Sequence, residues 1–180
     1  SESLMALTLI STHTASADAT IDITAGITST YDSYEFHFVN IHPATDSADF
    51  YVQFNAAGAS GFNETITSAG FRAYHDEGDS ATSLAYYVGQ AQGTAYQLIS
   101  SATGNDNDQC TSGVLTLYAP SSTTYVKHFV SVSDCTNPNQ YQVSDYNAGY
   151  INTTAAIDEI SFKFSSGNID AGTIKMFGVS

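Results

Sequence analysis

Apolar side chains in this chain recur at every second position, in short runs, and nowhere at three-and-four spacing over ten or more positions. A period of two sends neighbouring side chains to opposite faces of an extended strand, so the pattern requires sheets and leaves almost no room for helices. Tyr34, Phe36 and Phe38 alternate with Glu35, His37 and Val39, Phe50, Val52 and Phe54 with Tyr51 and Gln53, and Ile160, Phe162 and Phe164 with Ser161 and Lys163. About ten or more such runs, separated by Gly, Ser, Asn and Asp turns, predict an all-β fold: an antiparallel two-sheet sandwich. At 180 residues, one domain spanning 1–180 is the default expectation.

Taken in order, residues 4–10 are apolar on both alternating faces, which predicts a first strand covered on both sides. Ala19–Thr24 is a short strand, and His42-Pro43 ends the Tyr34–Val39 run because proline cannot donate to a ladder. Phe50–Phe54 is expected as the hairpin partner of that run. Phe71–His75 and Leu84–Val88 follow as strands joined by the acidic turn Asp76–Ser80, then Tyr96–Ile99, Val114–Tyr118 and Tyr125–Val132. Cys135–Asn139 reads as a loop, and Tyr141–Val143 and Tyr150–Thr153 as weaker strand segments. The end of the chain, Ile157–Val179, places a turn at Ser165–Ala171 between two strands. It is expected to form a closing hairpin whose members lie inside a sheet. Any helix is confined to a single turn near Asn63–Ser68 or Thr154–Asp158.

Arg72, Lys127, Lys163 and Lys175 are the only basic residues against 18 acidic ones, giving a net charge of −14. A field of that sign repels phosphate backbones and argues against DNA or RNA as a direct ligand. No apolar run approaches the ~20 residues of a membrane helix. Leu4–Ile10 followed by Ala15-Ser16-Ala17 imitates a secretory signal, but Glu2 stands where basic residues belong and Thr8 interrupts the apolar segment, so none is expected. Cys110 and Cys135 are either a disulfide between neighbouring strands or two reduced thiols.

Candidate chemistry is sparse. Asp106 and Asp108, in the run Asn105-Asp106-Asn107-Asp108, carry oxygen ligands of the kind calcium takes, but the later bidentate Glu is missing and a solvated turn is the better reading. Asp76, Glu77 and Asp79, around Gly78, read as a solvated turn for the same reason. His75 with Asp76 and Ser80, or His42 with Asp46 and Ser47, contain triad residue types without a nucleophile elbow. Asp158 and Glu159 are adjacent on a strand and cannot flank one bond. His37 and His128 lie within strand patterns, outside any metal-ligand spacing. The expectation is no catalysis, no cofactor and no metal. Tyr86, Tyr87, Tyr118, Tyr125, Tyr146 and Tyr150, with Tyr96 and Tyr141, form the strongest remaining hint. They either close the edges of the core or present an interface, since tyrosine joins a broad apolar face to a hydroxyl. Sugar stacking is disfavoured by the absence of tryptophan.

The stretch S-G-N-I-D-A-G followed by T-I-K-M-F-G-V at Ser166–Val179, with Ala19–Thr24 and Tyr31–Ile41, resembles small jelly-roll proteins in the virions of tailed bacteriophages, marine ones especially. It covers about a third of the chain, at its two ends, and carries no catalytic signature. The resemblance implies a jelly-roll sandwich and a structural, non-enzymatic role in the virion after synthesis in the host cytoplasm. The foremost version is a decoration or cement protein on major capsid or other virion proteins, assembling by symmetry as a homo-oligomer, with a trimer favoured. The alternative is a tail-fibre or lectin-like module that binds a receptor or carbohydrate, and a secreted protein ranks lower.

Overall fold

The structure, a computed structural model, describes residues 7–87 and 89–180. Among them are twelve strands and no helix: β1 (Leu7–Thr14), β2 (Ile21–Ile23), β3 (Ser33–Pro43), β4 (Ala48–Ala56), β5 (Ile66–Asp76), β6 (Thr82–Tyr86), β7 (Gln97–Thr103), β8 (Thr111–Tyr118), β9 (Lys127–Thr136), β10 (Tyr141–Ile151), β11 (Ile157–Phe164) and β12 (Ile169–Val179). They form two antiparallel sheets, one of eight strands in the order β1-β12-β3-β8-β9-β10-β5-β6 and one of four in the order β2-β11-β4-β7.

Eight strands make the frame. β1, β12, β3 and β8 lie side by side in the larger sheet, β2, β11, β4 and β7 make up the smaller one, and the chain switches sheets at every step of the frame except that from β4 to β7. This is the jelly-roll order. The remaining four strands are two insertions, β5-β6 between β4 and β7 and β9-β10 between β8 and β11. Both join the same edge of the larger sheet, where β10 and β5 pair in uninterrupted register from Tyr141↔Asp76 to Ile151↔Ile66. The larger sheet therefore extends well past the smaller one.

The frame holds the core. Phe36 and Phe38 of the larger sheet meet Phe50 and Phe162 of the smaller one, and Phe162 lies 5.9 Å from Phe36, 5.3 Å from Phe38 and 5.9 Å from Phe50 between ring centroids. Tyr34, Leu115, Leu117, Phe54, Ile160, Ile174 and Met176 complete the same cluster. Burying such side chains contributes roughly 1.5–3 kcal/mol each, which drives the two sheets together.

Several expectations change here. Ile157–Val179 is not a hairpin: β11 pairs with β2 and β4, β12 with β1 and β3, and the turn between them crosses from one sheet to the other. Each strand does lie inside its sheet, as expected. Phe50–Phe54 is likewise opposite Tyr34–Phe38, not beside it, and Phe38 meets Phe50 edge-to-face at 5.5 Å across the core. Alternation marks a face as buried without saying whether the nearest run lies alongside or across. β1 is an edge strand with Leu7 and Leu9 about half exposed, at 51% and 54%, so it is not covered on both sides; the expected residues 4–6 lie outside those described. The expected Leu84–Val88 strand is β6 at Thr82–Tyr86, starting two residues earlier; Tyr87 lies past its end and Val88 outside the described residues. The two weak segments at Tyr141 and Tyr150 are the ends of one strand, β10, and Cys135 belongs to β9 and not to a loop. Neither expected helical turn forms, because Ile66–Ser68 opens β5 and Ile157-Asp158 opens β11.

Candidate functional site: an apolar outer sheet face

Over the middle of β9 and β10, between the buried apolar Phe129, Cys135, Val143 and Ile151 nearer their ends, the two faces are the reverse of an ordinary sandwich. On β9, Val130 and Val132 point outward and are 41% and 37% exposed, while Ser131 and Ser133 point inward and are buried. On β10, Tyr146 and Ala148 face out, while Asp145 and Asn147 face in and are buried. Register carries the apolar set across the sheet: Tyr86 lies beside Phe71, Phe71 beside Tyr146, Tyr146 beside Val132 and Val132 beside Val114. A second row runs Ala69, Ala148, Val130. The rings of Phe71 and Tyr146 stack with centroids 4.8 Å apart and planes 7° from parallel. Together with Tyr86 they bound a shallow depression of about 450 Å³ floored by Val130, Val132 and Ala148.

Beneath this face is a polar seam where the extension meets β7. The Asp145 carboxylate accepts from the Ser101 N–H and hydroxyl, both at 2.8 Å, and Asp49 accepts from the next N–H, that of Ala102, at 2.8 Å. Arg72 packs its guanidinium 3.9 Å from the centre of the Tyr87 ring, which holds the cation near Asp145. Burial pushes the Asp145 carboxyl up, against the opposing pull of its Ser101 bonds. Burial likewise raises the Tyr87 and Tyr51 hydroxyls, with Asp49 adding to both. Lys127 is buried without a carboxylate, its ammonium donating to Tyr125 O at 2.7 Å and Thr153 O at 3.3 Å, and burial lowers its pKa.

The outer face of the smaller sheet is instead roofed by the loops before β5 and before β7. The Gln53 side-chain amide donates to the carbonyls of Glu64, Thr94 and Ala95, tying both loops down, and Tyr96 donates to Ser161 at 3.0 Å above β11. One sheet face is thus built over and the other is left bare.

The tyrosines divide accordingly. Tyr86 (73% exposed) and Tyr146 belong to the bare apolar face, and Tyr150 lies farther along β10 with its ring 6.0 Å from His128. Tyr118 and the 73%-exposed Tyr125 are at the end of the sheet around the β8–β9 loop. Tyr87 turns inward under Arg72 and so is a seam residue. Sequence reasoning missed Phe71, Val130 and Val132, which complete the face. The available signal was that Val130 and Val132 alternate with two serines; which set faced outward was not legible.

The other candidates resolve into local structure. Asp76 closes its turn by accepting from the Ser80 hydroxyl and the N–H groups of Ser80 and Ala81, contacts that lower its pKa, chiefly the Ser80 hydroxyl. His75 bonds Asp79 at 2.9 Å while the Ser80 hydroxyl is taken up by Asp76; His42 bonds Asp106 O and lies 3.7 Å from Asp170, while the Asp46 carboxylate accepts from the N–H groups of Ser47 and Asn105. Asp106 uses its backbone to turn the loop with Gln109, and Asp108 borders a polar hollow with His42, Cys110 and Asp170. Among the described residues, no three His, Cys, Asp or Glu side chains converge on one point as metal ligands would. Cys110 and Cys135 are free thiols, not a disulfide: Cys135 faces inward on β9 and donates to Ser101 O at 3.1 Å, while Cys110 precedes β8 beside Asn40. Thr111, not Cys110, is the register partner of Cys135. Burial pushes the Cys135 thiol up to about 12. Neither a protein-family model, nor a curated protein, nor a solved structure matches this chain.

Proposed function

We propose that this protein is a structural component of a tailed-bacteriophage virion, a decoration or cement protein that docks through the outer face of its larger sheet and stabilises the assembled shell without chemistry. The observation that carries the reading is the inversion on β9 and β10. A chain that buries Ser131, Ser133, Asp145 and Asn147 while exposing Val130, Val132, Tyr146 and Phe71 has its apolar surface arranged for another body. Aromatic residues at the centre of such a patch are the usual carriers of binding energy. The resemblance of the chain ends to virion jelly rolls supplies the class of partner, and those ends form β2, β3 and β12 of the frame. The net charge of −14 limits the receiving surface to one that is neutral or basic.

Binding that is confined to the assembled lattice stabilises it by mass action. Purified protein added to particles lacking it is therefore expected to co-sediment saturably with the assembled shell, ignore unassembled subunits and raise the rupture temperature. A Phe71→Ala, Tyr146→Ala double variant removes the stacked pair and should bind about tenfold more weakly or worse, with its fold intact. Particles that lack the protein and resist heat equally well would sink cementing. Glycan-array binding by the isolated chain would point to a receptor-binding module instead.

A further inference from the structure

β6 is the outer edge of the larger sheet, and its exposed backbone carries a self-complementary pattern. The bonds Asp76 N–H to Ala81 O and Tyr87 N–H to Gly70 O bracket the β5–β6 ladder. In an antiparallel pair, hydrogen-bonded and non-bonded positions alternate, so Ser83 and Ala85 turn their backbone groups toward β5. Thr82, Leu84 and Tyr86 turn theirs outward. That set is symmetric about Leu84.

The other edges among the described residues are blunted. β1 carries a bulge between Leu9 and Ser11, and β2 has three residues with Asp22 at its centre. On β7, Ala102 has a φ of 51°, and Asp145 and Asp49 already occupy the N–H groups of Ser101 and Ala102. β6 has no bulge, proline or charge; the whole run Ser80–Tyr87 is uncharged in a chain of net charge −14. Natural sheets protect exposed edges with such devices, and their absence leaves an edge competent to pair.

We infer that β6 pairs antiparallel with β6 of a second copy of this chain, across a twofold axis through Leu84. Leu84 then exchanges bonds with its own copy, and Thr82 with Tyr86 on each side, for about six backbone hydrogen bonds. The same register sets the acidic turn Asp76–Asp79 of one copy beside the uncharged Gly89–Gly93 of the other, so no carboxylate meets a carboxylate. Leu84 and Tyr86, 71% and 73% exposed in the single chain, become covered, and the apolar outer face runs on from one copy into the next. Any strand can supply these backbone groups; a copy is favoured because twofold symmetry repeats the pairing on both sides of Leu84 in the register that keeps the two acidic turns apart. The pairing goes beyond shell binding and is tested without any particle.

Sedimentation velocity on the full chain over a wide concentration range is expected to show a species of twice the 19.1 kDa chain mass. Leu84→Lys sets two like charges against each other on the axis and should raise the dissociation constant about tenfold or more. Leu84→Glu should do the same, and mixing the two variants should restore the dimer, which a misfolded protein could not do. In a Cys110→Ser background, Leu84→Cys should cross-link under mild oxidation and Ser83→Cys should not. Bonded antiparallel positions lie about 5.5 Å apart between Cα atoms, within disulfide reach. A chain that stays monomeric throughout, a trimer, or a dimer indifferent to Leu84→Lys overturns the pairing.

Discussion

At the scale of the residue, Asp145 shows how a side chain's role depends on what lies across the sandwich. In the sequence it is one acid among 18, between Ser144 and Tyr146, and nothing marks it. In the fold it is buried, and its carboxylate accepts two bonds from Ser101. Because burial raises its folded-state pKa above the unfolded value of about 3.9, the folded protein takes up this proton more readily. The group's contribution is therefore fully present below the unfolded pKa and is lost as pH rises through the folded one. Asp145→Asn abolishes that titration and can keep both Ser101 bonds. The variant should gain stability relative to wild type as pH rises above about 4, seen as a rising difference in urea midpoint. A difference that shrinks with pH would show that burial does not govern this carboxylate. Gln53 was illegible for the same reason, and so was half of the Lys127 site: the carbonyls of Glu64, Thr94, Ala95 and Thr153 come from other segments, and only Tyr125 O is local to Lys127.

At the scale of the element, strand identity was legible and strand partnership was not. Period-two alternation gave β3, β4 and β11 directly, since their apolar files are regular, and β8 was legible as an apolar run stopped by Pro120. It could not separate a strand lying alongside from one packed opposite, which is why both the β3–β4 and β11–β12 neighbours read as hairpins. Nor could it say which face of β9 was inside, because burial there is decided by the polar seam on β7. The two kinds of aromatic face should respond differently to truncation. Phe162→Ala empties the centre of a four-ring cluster and is expected to cost about 3–5 kcal/mol in denaturant unfolding. Phe71→Ala, with its ring 48% exposed, should cost about 0.5–1.5 kcal/mol, the worth of one aromatic pair. Equal losses would mean that the outer face is core rather than docking surface.

At the scale of the whole molecule, the frame and its extension share one structure through two insertions that meet only in the fold. β10 and β5 are far apart in the chain, yet their eleven-residue ladder ties the extension together, and Asp145 joins it to β7. Unfolding in urea should therefore be a single transition, with tyrosine fluorescence and far-UV circular dichroism coinciding. Separate midpoints would show that the extension opens on its own. By itself the sequence determined the all-β class, the turns, the acidic surface and most strand positions, because each follows from local periodicity, local turn chemistry or simple summation of charge. Only the tertiary structure decided which sheet each strand joined, that both insertions extend one edge, and that apolar side chains face outward there. Those outcomes depend on pairing and packing between residues remote in the chain, and such contacts leave no period to read.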